Sequence, residues 1–131
     1  MTKLECLLCA LWEYNKARLP TDPAFNANNP LRLGKYSNGV ATGELKRFAS
    51  LHSGICAGLF DLGVKVSGKS RAKLDGENYT IKGLIRVYSL KDGTEQYVCR
   101  WLRRAIGDDS IKPETKLNYF IDARPTDTNR S

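Results

Sequence analysis

Residues 64–104 read VKVSGKSRAKLDGENYTIKGLIRVYSLKDGTEQYVCRWLRR, and the fold turns on them. Asp75-Gly76 and Asp92-Gly93 each divide runs of alternating residue character. Asp-Gly between such runs is a strong hairpin signal, because a type I′ turn needs φ > 0 at both central positions. Read this way, the stretch is three antiparallel strands. The first turn sets Lys65 opposite Arg86 and Val66 opposite Ile85. The second sets Tyr88 opposite Tyr97 and Leu84 opposite Trp101.

Side chains alternate along a strand, and facing residues share a side of the sheet. One face of this meander then collects Val64, Val66, Ala72, Tyr79, Ile81, Ile85, Val87, Val98 and Leu102. The other collects Lys65, Lys69, Arg71, Lys73, Lys82, Arg86, Tyr88, Tyr97, Trp101 and Arg103, with Leu84 and Cys99 among them. Two independent turns agree on which face is apolar, and that consistency supports the register. Arg100 and Arg104 break it, since they fall on the apolar side. A second reading of residues 95–106 is a helix capped by Thr94, with Val98, Leu102 and Ala105 inward.

Outward from this segment, Thr2 to about Arg18 has helical spacing. Thr2 and Glu5 form a T-x-x-E capping box. Leu4, Leu7, Leu8, Leu11 and Trp12 make an i, i+3, i+4, i+7, i+8 stripe. Cys6, Cys9 and Ala10 make the helix apolar on two sides, for contacts within the fold or in a homo-oligomer. Residues 19–39 hold three prolines and four asparagines and read as a long loop, anchored by Phe25, Leu31, Leu33 and Tyr36. Thr42–Leu62 reads as a helix with Thr42 as N-cap and Gly63 as its stop. Its core side is expected to be Leu45, Phe48, His52, Ile55, Cys56 and Leu59, with Lys46, Arg47, Ser50, Gly54, Gly58 and Asp61 opposite. Gly107-Asp108-Asp109 is a turn, Leu117–Ile121 a fourth strand, and residues 124–131 a polar tail. The expected fold is therefore a single α+β domain over 1–131. Two N-terminal helices (1–18 and 42–62) pack on one face of a three- to four-stranded antiparallel sheet (63–123).

The chain has 131 residues and a formal net charge of +7. Residues 63–106 carry ten Lys or Arg against four Asp or Glu, a surplus of six. Charge concentrated in this way is an electrostatic footprint for an anionic partner. No apolar run approaches the ~18 residues of a membrane span. The N-terminus lacks the pattern of a secretory signal. The expected compartment is the cytoplasm, where Cys6, Cys9, Cys56 and Cys99 stay reduced.

Three motifs suggest chemistry. Gly63–Ser70 matches G-x-x-x-x-G-K-[ST], in which a glycine turn aims N–H groups at phosphates ahead of a helix. Here a helix precedes the match and a turn follows it closely, so the context is wrong. Were it a P-loop, Lys69 would meet the phosphates and Ser70 the Mg²⁺. Cys6-x-x-Cys9 with His52-x-x-x-Cys56 supplies four zinc-type ligands, but on helices rather than on knuckle turns. The His52–Cys56 pair has the makings of a nucleophilic dyad, yet no third group is in sight to orient it. Small buried residues and a core histidine account for both, so no catalytic residue, cofactor or metal is expected.

The cationic sheet face is different in kind. Cations follow a phosphate backbone, and Tyr88, Tyr97 and Trp101 offer stacking surfaces for bases. Lys65–Arg86 and Lys69–Lys82 set like charges opposite each other, which an anionic ligand would relieve. The expectation is a non-enzymatic module that binds RNA or single-stranded DNA. The alternative is an inhibitor or assembly protein docking an acidic protein surface.

Overall fold

The computed structural model describes residues 1–15, 17–70, 72 and 74–121. It overturns the sheet. Among the described residues there are five α-helices and one two-stranded antiparallel sheet, and that sheet is not in the 64–104 stretch. The elements are α1 (Lys3–Tyr14), α2 (Pro23–Asn26), β1 (Gly34–Ser37), β2 (Val40–Leu45), α3 (Leu51–Val66), α4 (Ile81–Val87) and α5 (Thr94–Leu102). A π-helical turn, Arg103–Gly107, prolongs α5.

Helix α1 forms as its sequence requires. Thr2 Oγ1 accepts from the Glu5 N–H at 3.0 Å, and Glu5 Oε1 accepts from the Thr2 N–H at 2.7 Å. Leu7, Leu8 and Leu11 are buried, and so are Cys6 and Ala10 on the second side. Both sides are used inside the fold, because α3 and α5 each pack on α1. The helix stops at Tyr14 rather than Arg18. The buried Asn15 bonds elsewhere: its Nδ2 donates to the Pro30 carbonyl and its Oδ1 accepts from the Ala17 N–H. Asn side chains that satisfy local backbone in this way compete with helix continuation.

Residues 19–39 contain structure that their composition hides. Asp22 caps the short α2, with Pro23 at its first position. Asn29, 1% exposed, ties the following hairpin to the body. Its Nδ2 donates to the Leu33 and Lys46 carbonyls, and its Oδ1 accepts from the Leu33 N–H. The hairpin turns at Asn38-Gly39, with φ of +53° and +79°, the type I′ requirement. Neither Asp-Gly pair meets it. Asp75 has φ −135°, and only Gly76 is positive. Gly93, at φ +94°, opens α5. Of the expected anchors, Leu31 is buried and Leu33 half-buried, while Phe25 and Tyr36 lie exposed.

Helix α3 starts after Ser50, whose Oγ accepts from the Ser53 N–H at 3.1 Å, and runs through Gly63 to Val66. Thr42 is a strand residue instead of a cap. The buried side of α3 holds Gly54, Gly58, Leu62, Lys65 and Val66, while His52 and Cys56 are exposed. This reverses the expected orientation of its first turns. The glycines bring α3 close to its neighbours: a Cβ on Gly58 would stand 2.8 Å from Leu8 Cδ1.

The expected second strand is α4. Thr80 Oγ1 accepts from the Gly83 N–H, and Ile81, Leu84 and Ile85 are all buried at helical spacing. The expected third strand is α5, where Val98, Cys99 and Leu102 are buried and Arg100 is exposed. The helical alternative for this segment is thus the one observed, with Ala105 exposed rather than inward and Gly93 in the cap position. Leu117–Phe120 is a 3₁₀ turn; in place of the expected fourth strand, one isolated bridge joins Thr80 to Lys116. The polar tail lies outside the described residues.

One core results. Its fully buried members include Leu7, Leu11, Leu62, Ile81, Leu84, Leu102, Leu117 and Phe120. The β1–β2 ribbon stands apart from it. Every residue of the two strands is exposed except Leu45, which is half-buried. No helix among the described residues is long and apolar enough to cross a membrane.

Candidate functional site

The sheet that would carry the cationic face read from the sequence is not formed among the described residues. Lys65 is 9% exposed, on the buried side of α3. Its Nζ lies 2.6 Å from Asp61 Oδ2 and 4.9 Å from the Tyr88 ring centre. Tyr88 donates its hydroxyl to the same Asp61 oxygen at 2.5 Å. Burial, and then the Asp61 charge beside it, push the Tyr88 hydroxyl far above its ordinary pKa. Lys69 is exposed beyond the end of α3. Lys82 and Arg86 are exposed one turn apart on α4. Tyr97 is 53% exposed, 5.9 Å from the Tyr14 ring and 5.6 Å from the Arg100 guanidinium. Trp101 is half-buried against the core. Arg103 donates to the Ile111 carbonyl at 2.7 Å. Arg71 and Lys73 lie outside the described residues.

The cause is the change of period. Alternation every two residues gathers side chains that a helix spreads around its axis at 100° each. Pairs four apart survive both periods, which is why Lys82 and Arg86 stay together.

A different surface takes shape around the ribbon. An open cleft of about 890 Å³ lies between the base of the hairpin and the helices α3 and α4. Leu33, Tyr36, Lys46 and Phe48 line it from the hairpin side. Phe60, Asp61, Val64, Lys65 and Tyr88 line it from the helices. Two of its aromatic rings are left to solvent, Phe60 at 76% and Tyr36 at 66% exposure. Lys46 Nζ sits 5.5 Å from the Phe48 ring centre. Residues 32–48 hold four cations, Arg32, Lys35, Lys46 and Arg47, against the single acid Glu44, a surplus of three. All four cations are exposed. Arg32 is engaged with Asp22 at 2.5 Å, and Arg47 donates to the Asn26 carbonyl.

This arrangement offers aromatic faces at a cleft mouth, exposed cations at and just beyond the ends of the ribbon, and a floor where Asp61 and Lys65 form an ion pair. Such a surface can stack planar rings and hold phosphate oxygens at its rim. In that floor Asp61 is engaged by the Lys65 ammonium and the Tyr88 hydroxyl on one oxygen. The sequence signal for this surface is Asn38-Gly39 between Tyr36 and Val40, inside the stretch that reads as loop.

The other motifs resolve on geometry. Gly63–Val66 of the P-loop match is the last turn of α3, and Gly68 follows its C-cap with φ +78°, so the segment closes a helix rather than opening one. None of the four cysteines is in a disulfide. Cys6 and Cys99 are buried, and burial raises the Cys99 thiol to about 11. Cys9 is half-buried, and its thiol is raised for the same first reason. Among the described residues no three His, Cys, Asp or Glu side chains converge on a metal position. Comparison with family models, curated proteins and solved structures finds no match to this chain.

Proposed function

We propose that this protein is a non-enzymatic basic module that binds RNA or single-stranded DNA, with the β1–β2 ribbon and the cleft beneath it as the contact surface. The observation that carries the reading is the ribbon itself. It is exposed on both faces, so folding does not account for its composition. Two-stranded ribbons are marginal on their own; this one is held by Asn29 and carries Lys35 and Tyr36 to solvent, with Lys46 and Arg47 exposed just past its second strand. Lys35, Lys46 and Arg47 would follow the backbone. Tyr36, Phe48 and Phe60 would stack bases, each worth about 1 to 3 kcal/mol. Four cysteines outside any disulfide suit a reducing compartment such as the cytoplasm.

Fluorescence anisotropy with a labelled single strand, over a salt series, tests the reading. Contacts to three or four phosphates give a slope of log K against log salt of about −2 to −3. The triple variant K35E/K46E/R47E should lose both the affinity and the slope. A flat salt response of the parent protein removes the proposal. Loss of binding in K82E/R86E with the triple variant unaffected moves the surface to α4. Competition by polyglutamate as effective as by RNA points instead to an acidic protein surface.

A further inference from the structure

Cysteine is among the side chains most often buried. Cys56 departs from that habit. It is exposed on the outward side of α3, and its Sγ lies 3.6 Å from Nε2 of His52, one turn earlier. The helix docks through Gly54, Gly58 and Leu62, so neither His52 nor Cys56 holds the fold together.

The separation of the two atoms is informative. Zinc binds thiolate sulfur at about 2.3 Å and imidazole nitrogen at about 2.0 to 2.1 Å. At a tetrahedral angle those bonds place the two ligand atoms about 3.5 to 3.6 Å apart. His52 and Cys56 already stand at that span, so chelation needs little rearrangement of either side chain. Two protein ligands leave a tetrahedral ion half filled, and no third ligand converges on the pair among the described residues.

We propose that His52 and Cys56 are one half of a zinc-class site completed by the same pair from a second copy of this chain. A two-fold axis through the ion gives a Cys₂His₂ shell, a common closed structural set. Two thiolates balance the charge of a divalent ion, so the site adds no net charge to a basic surface. Each Cys56 thiol releases its proton to solvent as its sulfur bonds the metal, and binding weakens as pH falls. This site is independent of the ribbon and its cleft.

Cobalt(II) titration of the full chain, kept reduced with a phosphine, tests the proposal. The expected result is a thiolate-to-cobalt band in the near ultraviolet with the visible bands of tetrahedral cobalt. It should saturate at one ion per two chains and be displaced by zinc. Light scattering should show the mass doubling with zinc and reverting with EDTA. C56S and H52A should each abolish the bands while keeping the parent circular dichroism, and C9S should keep them. Three results would overturn the proposal: no thiolate band at micromolar protein, a band that persists in C56S, or saturation at one ion per chain with the protein still monomeric.

Discussion

Replacing Gly54 with alanine probes the packing of α3 most directly. A Cβ at this position would lie 1.7 Å from the Asn28 carbonyl oxygen and 3.2 Å from Pro30 Cδ. The obstacle is backbone and is itself held. Asn28 sits at φ +55°, and its Nδ2 donates to the Phe48 carbonyl at 3.0 Å. Alanine improves helix propensity by about 1 kcal/mol. Overpacking costs about 1 to 3 kcal/mol and more where backbone must move. The loss should win, leaving G54A about 2 kcal/mol less stable. Gly63 lies in the same helix and supplies the control. Its nearest neighbour to an added Cβ is Leu4 Cδ2 at 3.9 Å, an ordinary contact. G63A should therefore gain about 0.5 to 1 kcal/mol. The two variants then differ by about 3 kcal/mol, or roughly 10 °C in Tm for a chain of this size. Urea and thermal unfolding followed by far-ultraviolet circular dichroism measure both. G54A as stable as the parent would mean that α3 does not dock through its glycines, and the core side would return to His52 and Cys56.

Leu84 is fully buried on α4, so L84A should cost about 2 to 5 kcal/mol in urea unfolding; a strand with Leu84 facing solvent would lose almost nothing. Asp108 accepts from the Ser110 hydroxyl and N–H and from the Tyr119 hydroxyl, which hold its carboxyl down at about 2 against an ordinary 3.8. The unfolded chain thus takes up the proton first. The stabilisation is complete above the unfolded value and is lost as pH falls toward about 2. Acid titration of thermal stability should show this decline in the parent and a flatter profile in D108N; identical profiles would refute it.

What the sequence discloses and what it conceals follow from which physical signals are single-valued. The first helix is legible because capping box and stripe both demand the same period. The segment Tyr79–Val87 is not. Tyr79, Ile81, Ile85 and Val87 satisfy a period of two, while Ile81, Leu84 and Ile85 satisfy a helix. Thr80 as a cap decides between them only once Gly83 is seen beneath it. Asp-Gly misleads because a glycine at positive φ serves helix starts and 3₁₀ turns as readily as hairpins. Arg100 is the warning: a cation on the apolar side of a strand is an ordinary exposed residue on α5. Hydropathy sets Gly54 and Gly58 on the wrong side because it does not register close approach. The candidate site suffers from the same errors. Lys65 looks like a free cation in the sequence but is engaged with Asp61, and only the structure pairs residues across the α3–α4 junction.

The ribbon's detachment from the core has an evolutionary corollary. Because Asn38-Gly39 and its flanking strands contribute little to the central cluster, changes in their length or chemistry should leave folding almost untouched, since lengthening a surface loop costs little free energy. The body and the projecting arm can then drift at separate rates. If the arm binds as proposed, its ligand could be exchanged for another without rebuilding the helices that carry it.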